Sequence, residues 1–276
     1  MSTPSSSSKS EGSVRVLARG LTILQAFEPG NSPRSNAELA HLTGIPKPTV
    51  SRLTANLTAS GYLILQNGEY KLGSAVLALG YFAASTRDIK TAIRPFMQEI
   101  ANQHQASVVL ASHVGMSMVC EEVCHCKNAL FTLRISTGSR LNLVHSAVGR
   151  AFISSMPDNE RASLFAQLKQ VHGEHWVPLE AAINAAMQQM RADGYCTTTG
   201  TLESSTNGVA VTIDTPDQAN AFSLGCALPS YLFPKERLVA EVAPSLLSLK
   251  SRLEKSLFEA NLSLQHTQRS HASPQN

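Results

Sequence analysis

Residues 38–61 read ELAHLTGIPKPTVSRLTANLTASG, two short helical segments either side of a tight turn. The first, over 36–42, offers Leu39, Ala40 and Leu42 as its apolar face. Thr43-Gly44 is the turn, where glycine supplies the positive φ that a sharp helix-to-helix corner needs. The second helix starts at about Pro48, which has no N–H to leave unpaired in a first turn. Val50, Leu53 and Leu57 follow at i, i+3 and i+7 and share one buried face. Pro48, Ser51, Arg52, Ala55 and Asn56 face the other way, and that face is small, polar and basic. This is the pattern of a helix-turn-helix whose second helix enters the DNA major groove. An ordinary αα-corner in a helical domain has the same local signature.

The flanks separate the two readings. Residues 62–73 read YLILQNGEYKLG. Tyr62 to Leu65 is a β-prone run, Asn67-Gly68 is a type I′ hairpin signal, and Glu69 to Leu72 is the return strand. A hairpin directly after a recognition helix is a wing. Upstream, Val16 to Phe27 is an amphipathic helix with Val16, Leu17, Leu21, Leu24 and Phe27 apolar. Helix, helix, recognition helix and hairpin together make a winged helix-turn-helix. Lys47, Pro48, Thr49, Ser51, Arg52 and Asn56 are its candidate DNA contacts. Arg52 has the reach for a guanine edge or a phosphate, and Lys47 and Thr49 sit at a helix start suited to phosphate. On the wing, Asn67 and Lys71 are placed for phosphate or the minor groove.

The chain has 276 residues, 43% of them hydrophobic, and a formal net charge of +3. That length favours two domains over one. The modest charge excludes a generally basic nucleic-acid coat and permits a local basic surface. No apolar run approaches the ~18 residues of a membrane span, so no membrane partner is expected. The Ser-rich start, MSTPSSSSKSEG, has no hydrophobic core of a signal peptide. It reads as a disordered lead over 1–13, matched by a disordered tail over 261–276. Five cysteines without framework spacing fit a reducing cytoplasm.

Beyond the wing, residues 74–85, SAVLALGYFAAS, form a helix apolar nearly all round, which needs a covering partner. A second helix over 89–104 carries Ile93, Phe96, Met97 and Ile100 on one face, with Pro95 inside it. The boundary between domains falls near Thr86-Arg87-Asp88. Strand-like segments follow: SVVLASHVG, then SMVCEEVC, then ALFTLRIS over 129–136. A loop at 137–140 leads to Leu141-Asn142-Leu143 and a helix from about Ser146 to Ser155. Asp158 is a candidate N-cap for the next helix. Pro178 starts another, ended by Gly194, and residues 197–205 read as a loop. Strands over 208–213 and 221–228, turning at 215–220, precede a last helix from Lys235 to about Leu257. Strands at both ends with helices between them indicate an α+β domain with one antiparallel sheet.

The order and the local motifs resemble the IclR family of bacterial transcription regulators. The resemblance spans Val14 to about Phe258. It is carried by the helix-turn-helix stretch with YKLG after it, by GSRLNLVHSAVGRAF, by MRADGY, and by the strand pair around Gly208 and Pro229. It implies a winged helix-turn-helix DNA-binding domain over 14–73, a linker helix over 74–88, and a GAF-like α+β effector-binding and oligomerisation domain over 89–260. It also implies a homodimer or homotetramer that binds double-stranded operator DNA, controls a catabolic operon, more often by repression, and answers to a small organic acid. No cofactor is implied. The implied effector pocket gathers Leu141, Leu143, Ala147, Gly149, Thr198, Thr199, Ala210 and Cys226. A helix N-terminus there offers free N–H groups and partial positive charge, threonines add hydroxyls, and the aliphatic residues supply an apolar wall. The same residues also read as sheet–helix core. The chain departs from the family pattern at Pro48, at His145, and around Gly225 to Pro229, where Gly and Ala stand at positions that carry serine in some acid-sensing relatives. Fewer hydroxyls point to a larger or more apolar effector, such as an aromatic acid.

Two other classes have some support in the residues. Cys120, Cys124 and Cys126, with His125 beside them, suit a metal- or thiol-redox-responsive regulator, since soft thiolates bind zinc or copper(I). On a straight strand all three share one face, but same-face positions are ~6.5 Å apart, so the third is too distant. Catalysis would rest on Ser146 beside His145 or on Cys226. Neither lies in a nucleophile elbow or phosphate loop, so the chain does not read as an enzyme.

Overall fold

The computed structural model describes residues 7–27, 32–85, 88–127, 133–215 and 222–271. The chain divides into two compact units between Arg87 and Asp88. No helix among the described residues is long and apolar enough to cross a membrane.

The first unit runs α1 (Ser7–Gln25), α2 (Asn36–Thr43), α3 (Lys47–Ala59), β1 (Leu63–Gln66), β2 (Glu69–Leu72) and α4 (Ser74–Ser85). A reciprocal capping box opens α2: the Ser35 hydroxyl accepts the Glu38 N–H, and the Glu38 carboxylate accepts the Ser35 N–H at 2.7 Å. The bond lowers the Glu38 pKa from its ordinary value. Gly44 closes the helix at φ 67°, its N–H donating to the Ala40 carbonyl. Ile23, Leu39, Ile45, Val50, Leu53, Leu63 and Tyr70 form the core. A single-residue bridge absent from the expected scheme joins the edge of the two-stranded wing: Arg34 and Tyr70 exchange both backbone bonds, at 2.9 and 2.7 Å. Buried Thr54 lies 3.1 Å from Asn36 Oδ1, and Asn36 Nδ2 lies 3.5 Å from the Tyr70 hydroxyl. This chain of polar contacts ties α3 to the wing.

Three expectations for this unit change. The first helix begins at Ser7, inside the stretch read as a disordered lead. Its expected apolar face is largely uncovered, with Val16, Leu17 and Leu21 exposed and Ile23 as the buried anchor. Among its described side chains Ile23 and Leu24 reach the core, joined by Ala26 and Phe27 just after the helix. Leu42 is exposed too, because so short a helix as α2 buries little beyond Leu39.

The second unit begins with α5 (Asp88–His104), β3 (Ser107–Val114), β4 (Ser117–His125) and β5 (Arg140–Asn142). Next come α6 (Ala147–Ser155), α7 (Asp158–His172), α8 (Trp176–Asp193), β6 (Cys196–Thr199), β7 (Thr206–Ile213) and β8 (Phe222–Pro229). It closes with α9 (Lys235–Arg237), a π-helical turn at Leu238–Val242, and α10 (Ala243–His271). The six strands make one antiparallel sheet in the order β5-β4-β3-β8-β7-β6. Alternation divides their side chains between two cores. Val108, Leu110, Val209, Val211 and Leu224 pack on α5 and α10, while Val109, Ala111, Met118 and Ala210 pack on α6, α7 and α8.

The differences from expectation have local causes. Residues 133–136 are not a strand, and 128–132 lie outside the described residues. Residues 197–199, read as the start of a loop, belong to the edge strand β6, paired with β7. Asp158 is the first residue of α7 rather than its cap; Pro157 holds the cap position, and Asp158 pairs with Arg161. The next helix begins at Trp176, since Pro178 fits anywhere in a first turn. The last helix continues to His271, through the stretch read as a disordered tail from 261. Of the turn expected over 215–220, residues 216–220 lie outside the described residues, as does 221, the expected start of the strand after it.

A candidate DNA interface and ligand cavity

On α3, Lys47, Pro48, Ser51, Arg52, Ala55 and Asn56 are exposed and Thr49 is half-buried. Opposite them, Val50, Leu53 and Thr54 seat the helix on its core. The outward face is therefore contiguous and unobstructed. Asn67 and Gly68 both have positive φ, 54° and 82°, the geometry of a type I′ turn. Asn67 is exposed at the wing tip. Lys71 follows the buried Tyr70 and points to the other side of the hairpin. Among the described residues Lys47, Arg52 and Lys71 take part in no ion pair, so their charge is free for phosphate or a base edge.

In the second unit, a cavity of about 40 Å³ lies where α6 meets the sheet. Two side chains build the approach to it. Asn142 Oδ1 accepts the N–H groups of Val144 and His145, and the Ser146 hydroxyl caps α6 by accepting the Gly149 N–H at 3.1 Å. Val109, Leu133, Ile135, Leu141 and Leu202 supply apolar wall, and Ser146, Ala147 and Val148 bring the helix start to its edge. Thr198 and Thr206 add polar groups, and the Thr206 hydroxyl is buried with no hydrogen-bond partner. Over the cavity, the 200–205 loop is pinned by the Thr201 hydroxyl, which donates to the His145 carbonyl at 2.6 Å. Leu133 and Ile135 belong to a second cover, held where the His125 ring meets the Ile135 carbonyl at 2.9 Å.

Of the eight residues expected at this pocket, Leu141, Ala147, Thr198 and Cys226 border it. Leu143, Gly149, Thr199 and Ala210 do not. Leu143 and Ala210 are sealed in the core beneath α6, and Thr199 is exposed beyond the edge. Gly149 faces the Leu143 carbonyl, where an added Cβ would lie 2.0 Å from the oxygen. Its missing side chain serves backbone packing rather than a ligand. Cys226 packs its thiol in the core of α5 and α10, and full burial pushes its pKa up. Gly225, Cys226 and Ala227 all border the cavity. Alternating side chains cannot do that, so the strand backbone is the floor. The sequence reading missed Ser146 and Thr206: the first was weighed as a nucleophile, and the second stood outside the expected strand. With Leu143 only 1% exposed, Leu143→Phe is expected to lower unfolding free energy by ~1–3 kcal/mol in a denaturant titration.

The cysteine cluster is corrected by a β-bulge. Leu110 pairs with Glu122 and Ala111 with Cys120, so Glu121 is an extra residue that reverses the alternation. Cys120 consequently faces α6 and Cys124 faces α5, and Cys126 lies beyond the strand end. Burial pushes the Cys120 thiol up to about 12, far from a reactive thiolate. Among the described residues, no three His, Cys, Asp or Glu side chains gather as a metal site. Ser146 is likewise committed to its helix cap and to the Asn142 carbonyl, 2.7 Å away.

Comparison with known proteins agrees with both halves of this geometry. Residues 16–64 match the model of the IclR helix-turn-helix domain, and residues 81–251 match that of the bacterial transcriptional regulator IclR C-terminal domain. The transcriptional regulator TsaQ1/TsaQ2 of Comamonas testosteroni is 29% identical over 252 residues, covering 90% of each chain. The crystal structure of an IclR-family regulator from Brucella abortus superposes with a TM-score of 0.79 at 34% identity, over 87% of this chain and 91% of that one. An IclR homologue from Microbacterium hydrocarbonoxydans, solved in complex with 4-hydroxybenzoate, has a TM-score of 0.68 at 17% identity, over 88% of this chain and 99% of the other.

Proposed function

The chain belongs to the IclR family of bacterial transcriptional regulators, and from that premise we propose that it is a cytoplasmic repressor of a catabolic operon, released by a small organic acid. It is a DNA-binding transcriptional regulator, not an enzyme; the sign of control, the ligand and the assembly are the proposed part. In this reading α3 lies in the major groove with Arg52 at a base edge, while Asn67 and Lys71 of the wing hold the backbone. The operator is a palindrome or repeat, because two copies of the chain present two such helices. The apolar helix α4 motivates the dimer: Leu77 is 76% exposed and Leu79 57% in the single chain, a cost that a second copy removes.

The observation that carries the acid reading is the Thr206 hydroxyl, buried and unpartnered at the rim of a largely apolar cavity that abuts a helix N-terminus. A buried polar group without a partner costs about 1–3 kcal/mol. A ligand oxygen repairs that loss, the helix start favours negative charge, and the leucine and isoleucine wall takes a chain or ring. At about 40 Å³ the cavity has room for a few waters. In this reading a larger acid displaces the 200–205 loop, and that movement is a route by which binding can shift the populations of DNA-competent and released states.

A thermal-shift titration of the full-length protein with 4-hydroxybenzoate, benzoate and short aliphatic acids tests the reading. An acid at a hundred times its Kd should add about 2.7 kcal/mol of stability and weaken operator binding at the same concentration. Thr206→Val separates the cavity from the bulk effect. It removes a hydroxyl of nearly unchanged shape, so the free protein should be as stable or up to ~1 kcal/mol more stable, while acid affinity falls about tenfold. A Thr206→Val protein that keeps its full thermal response would refute the cavity assignment.

A further inference from the structure

A second cleft lies on another side of α6, and it shares no lining residue with the cavity described above. Arg150, Gln189, Thr197, Asp193, Lys235 and the small residues of α8 at Ala182, Ala185 and Ala186 form its walls. Arg150 is the unusual member, an arginine with a relative exposure of only 5%. Its Nε donates to the Val144 carbonyl at 2.8 Å. Among the described residues no carboxylate pairs with it. A guanidinium stays charged inside a protein, and a buried charge without a counter-charge is costly. Burial also works against its charged form, drawing its pKa below the ordinary guanidinium value.

The other polar groups of the cleft favour an acceptor. The Gln189 side-chain oxygen already accepts the Thr197 N–H at 2.9 Å and lies 3.1 Å from the Thr197 hydroxyl. That fixes its amide and leaves the NH₂ as its remaining donor. Lys235 adds a second cation, and the only acidic group of the lining is Asp193, exposed at the mouth. The three alanines leave a shallow apolar floor. We propose that this cleft binds a small free carboxylate, with the Arg150 guanidinium as its principal partner and Gln189 and Lys235 as further donors. The planar fork of arginine fits a carboxylate with two parallel bonds. The site is independent of the effector cavity, although both use α6, so the regulator can take two acids at once.

Calorimetric titration of the full-length protein with sodium succinate and with sodium benzoate, against sodium chloride at equal ionic strength, tests this. At least one carboxylate should bind saturably, and Arg150→Gln should weaken that binding about ten- to a hundredfold. Lys235→Gln should weaken it less, and Leu141→Trp, which fills the other cavity, should leave it unchanged. Ala185→Glu brings a carboxylate into the cleft on an exposed position. It should abolish the binding and raise the melting temperature, and it keeps the test intact if Arg150→Gln does not fold. Absence of saturable binding, or binding indifferent to Arg150→Gln, Lys235→Gln and Ala185→Glu, overturns the proposal. So does a change of sedimentation on Lys235→Gln with no change in titration, which would give the cleft to a carboxylate of a second copy.

Discussion

Gly149→Ala should destabilise the second unit by about 3 kcal/mol or more, the largest effect expected of a methyl group added at any glycine among the described residues. The added Cβ would lie 2.0 Å from the Leu143 carbonyl oxygen and 2.7 and 2.8 Å from its carbonyl carbon and Cα. All three are backbone atoms, so no side chain can swing aside. Nor can the segment retreat as a whole. The Val144 carbonyl accepts from Arg150, Asn142 holds the N–H groups of Val144 and His145, and the Ser146 hydroxyl holds both the Asn142 carbonyl and the Gly149 N–H. Relief therefore requires α6 to tilt from the strand that feeds it, opening the cavity at its N-terminus. Gly208→Ala is the graded control. There the closest atom, at 2.8 Å, is the Thr198 hydroxyl oxygen, which can rotate, followed by the Ala147 Cβ at 3.2 Å. Urea titrations of the two variants beside the parent protein should rank Gly149→Ala well below Gly208→Ala. Equal midpoints would show that the α6 junction is looser than its hydrogen bonds imply.

The same junction shows what the sequence could and could not disclose. Hydrophobic spacing, a glycine at Gly44 and an Asn-Gly pair at the wing tip are local signals with local causes, so the helix-turn-helix and its hairpin were legible almost residue by residue. The sheet order was not, because strand neighbours are chosen by which faces pack together. Residues 197–199 read as loop, being short and all threonine, and only their pairing with β7 makes them a strand. The bulge at Glu121 is a register event between two strands, and it alone reverses the face on which Cys120 stands. Half of the expected pocket residues border the cavity for a similar reason. Leu141, Ala147 and Thr198 are named by what the family resemblance implies. The burial of Leu143 and Ala210 and the unpaired hydroxyl of Thr206 depend on how closely α6 sits on the sheet. That distance is set by Gly149, Gly208 and Gly225, where a Cβ would meet neighbours at 2.0, 2.8 and 2.6 Å. A glycine in a sequence shows only that something comes near it.

Arg52→Ala should remove the preference for operator over unrelated duplex, at a loss of ~1–3 kcal/mol for each bidentate base contact. In a dimer the loss applies at both half-sites. The side chain is exposed on α3, one residue before the buried Leu53, and it belongs to no ion pair among the described residues. The variant should consequently fold as stably as the parent, within about 0.5 kcal/mol, since alanine is at least as good a helix former. That separates a lost contact from a lost domain. Lys71→Ala supplies the contrast. Its side chain lies on the other side of the wing hairpin from Tyr70, and the expectation is a contact to the DNA backbone rather than to a base edge. It should weaken operator and unrelated duplex equally and lower the slope of log affinity against log salt by about 1 per contact. Fluorescence anisotropy with a labelled operator and a scrambled duplex, repeated across a salt series, measures both effects in one experiment. An Arg52→Ala protein that still prefers the operator by the parental ratio would remove Arg52 as the reader and move base recognition to Ser51 and Asn56 on the same exposed face.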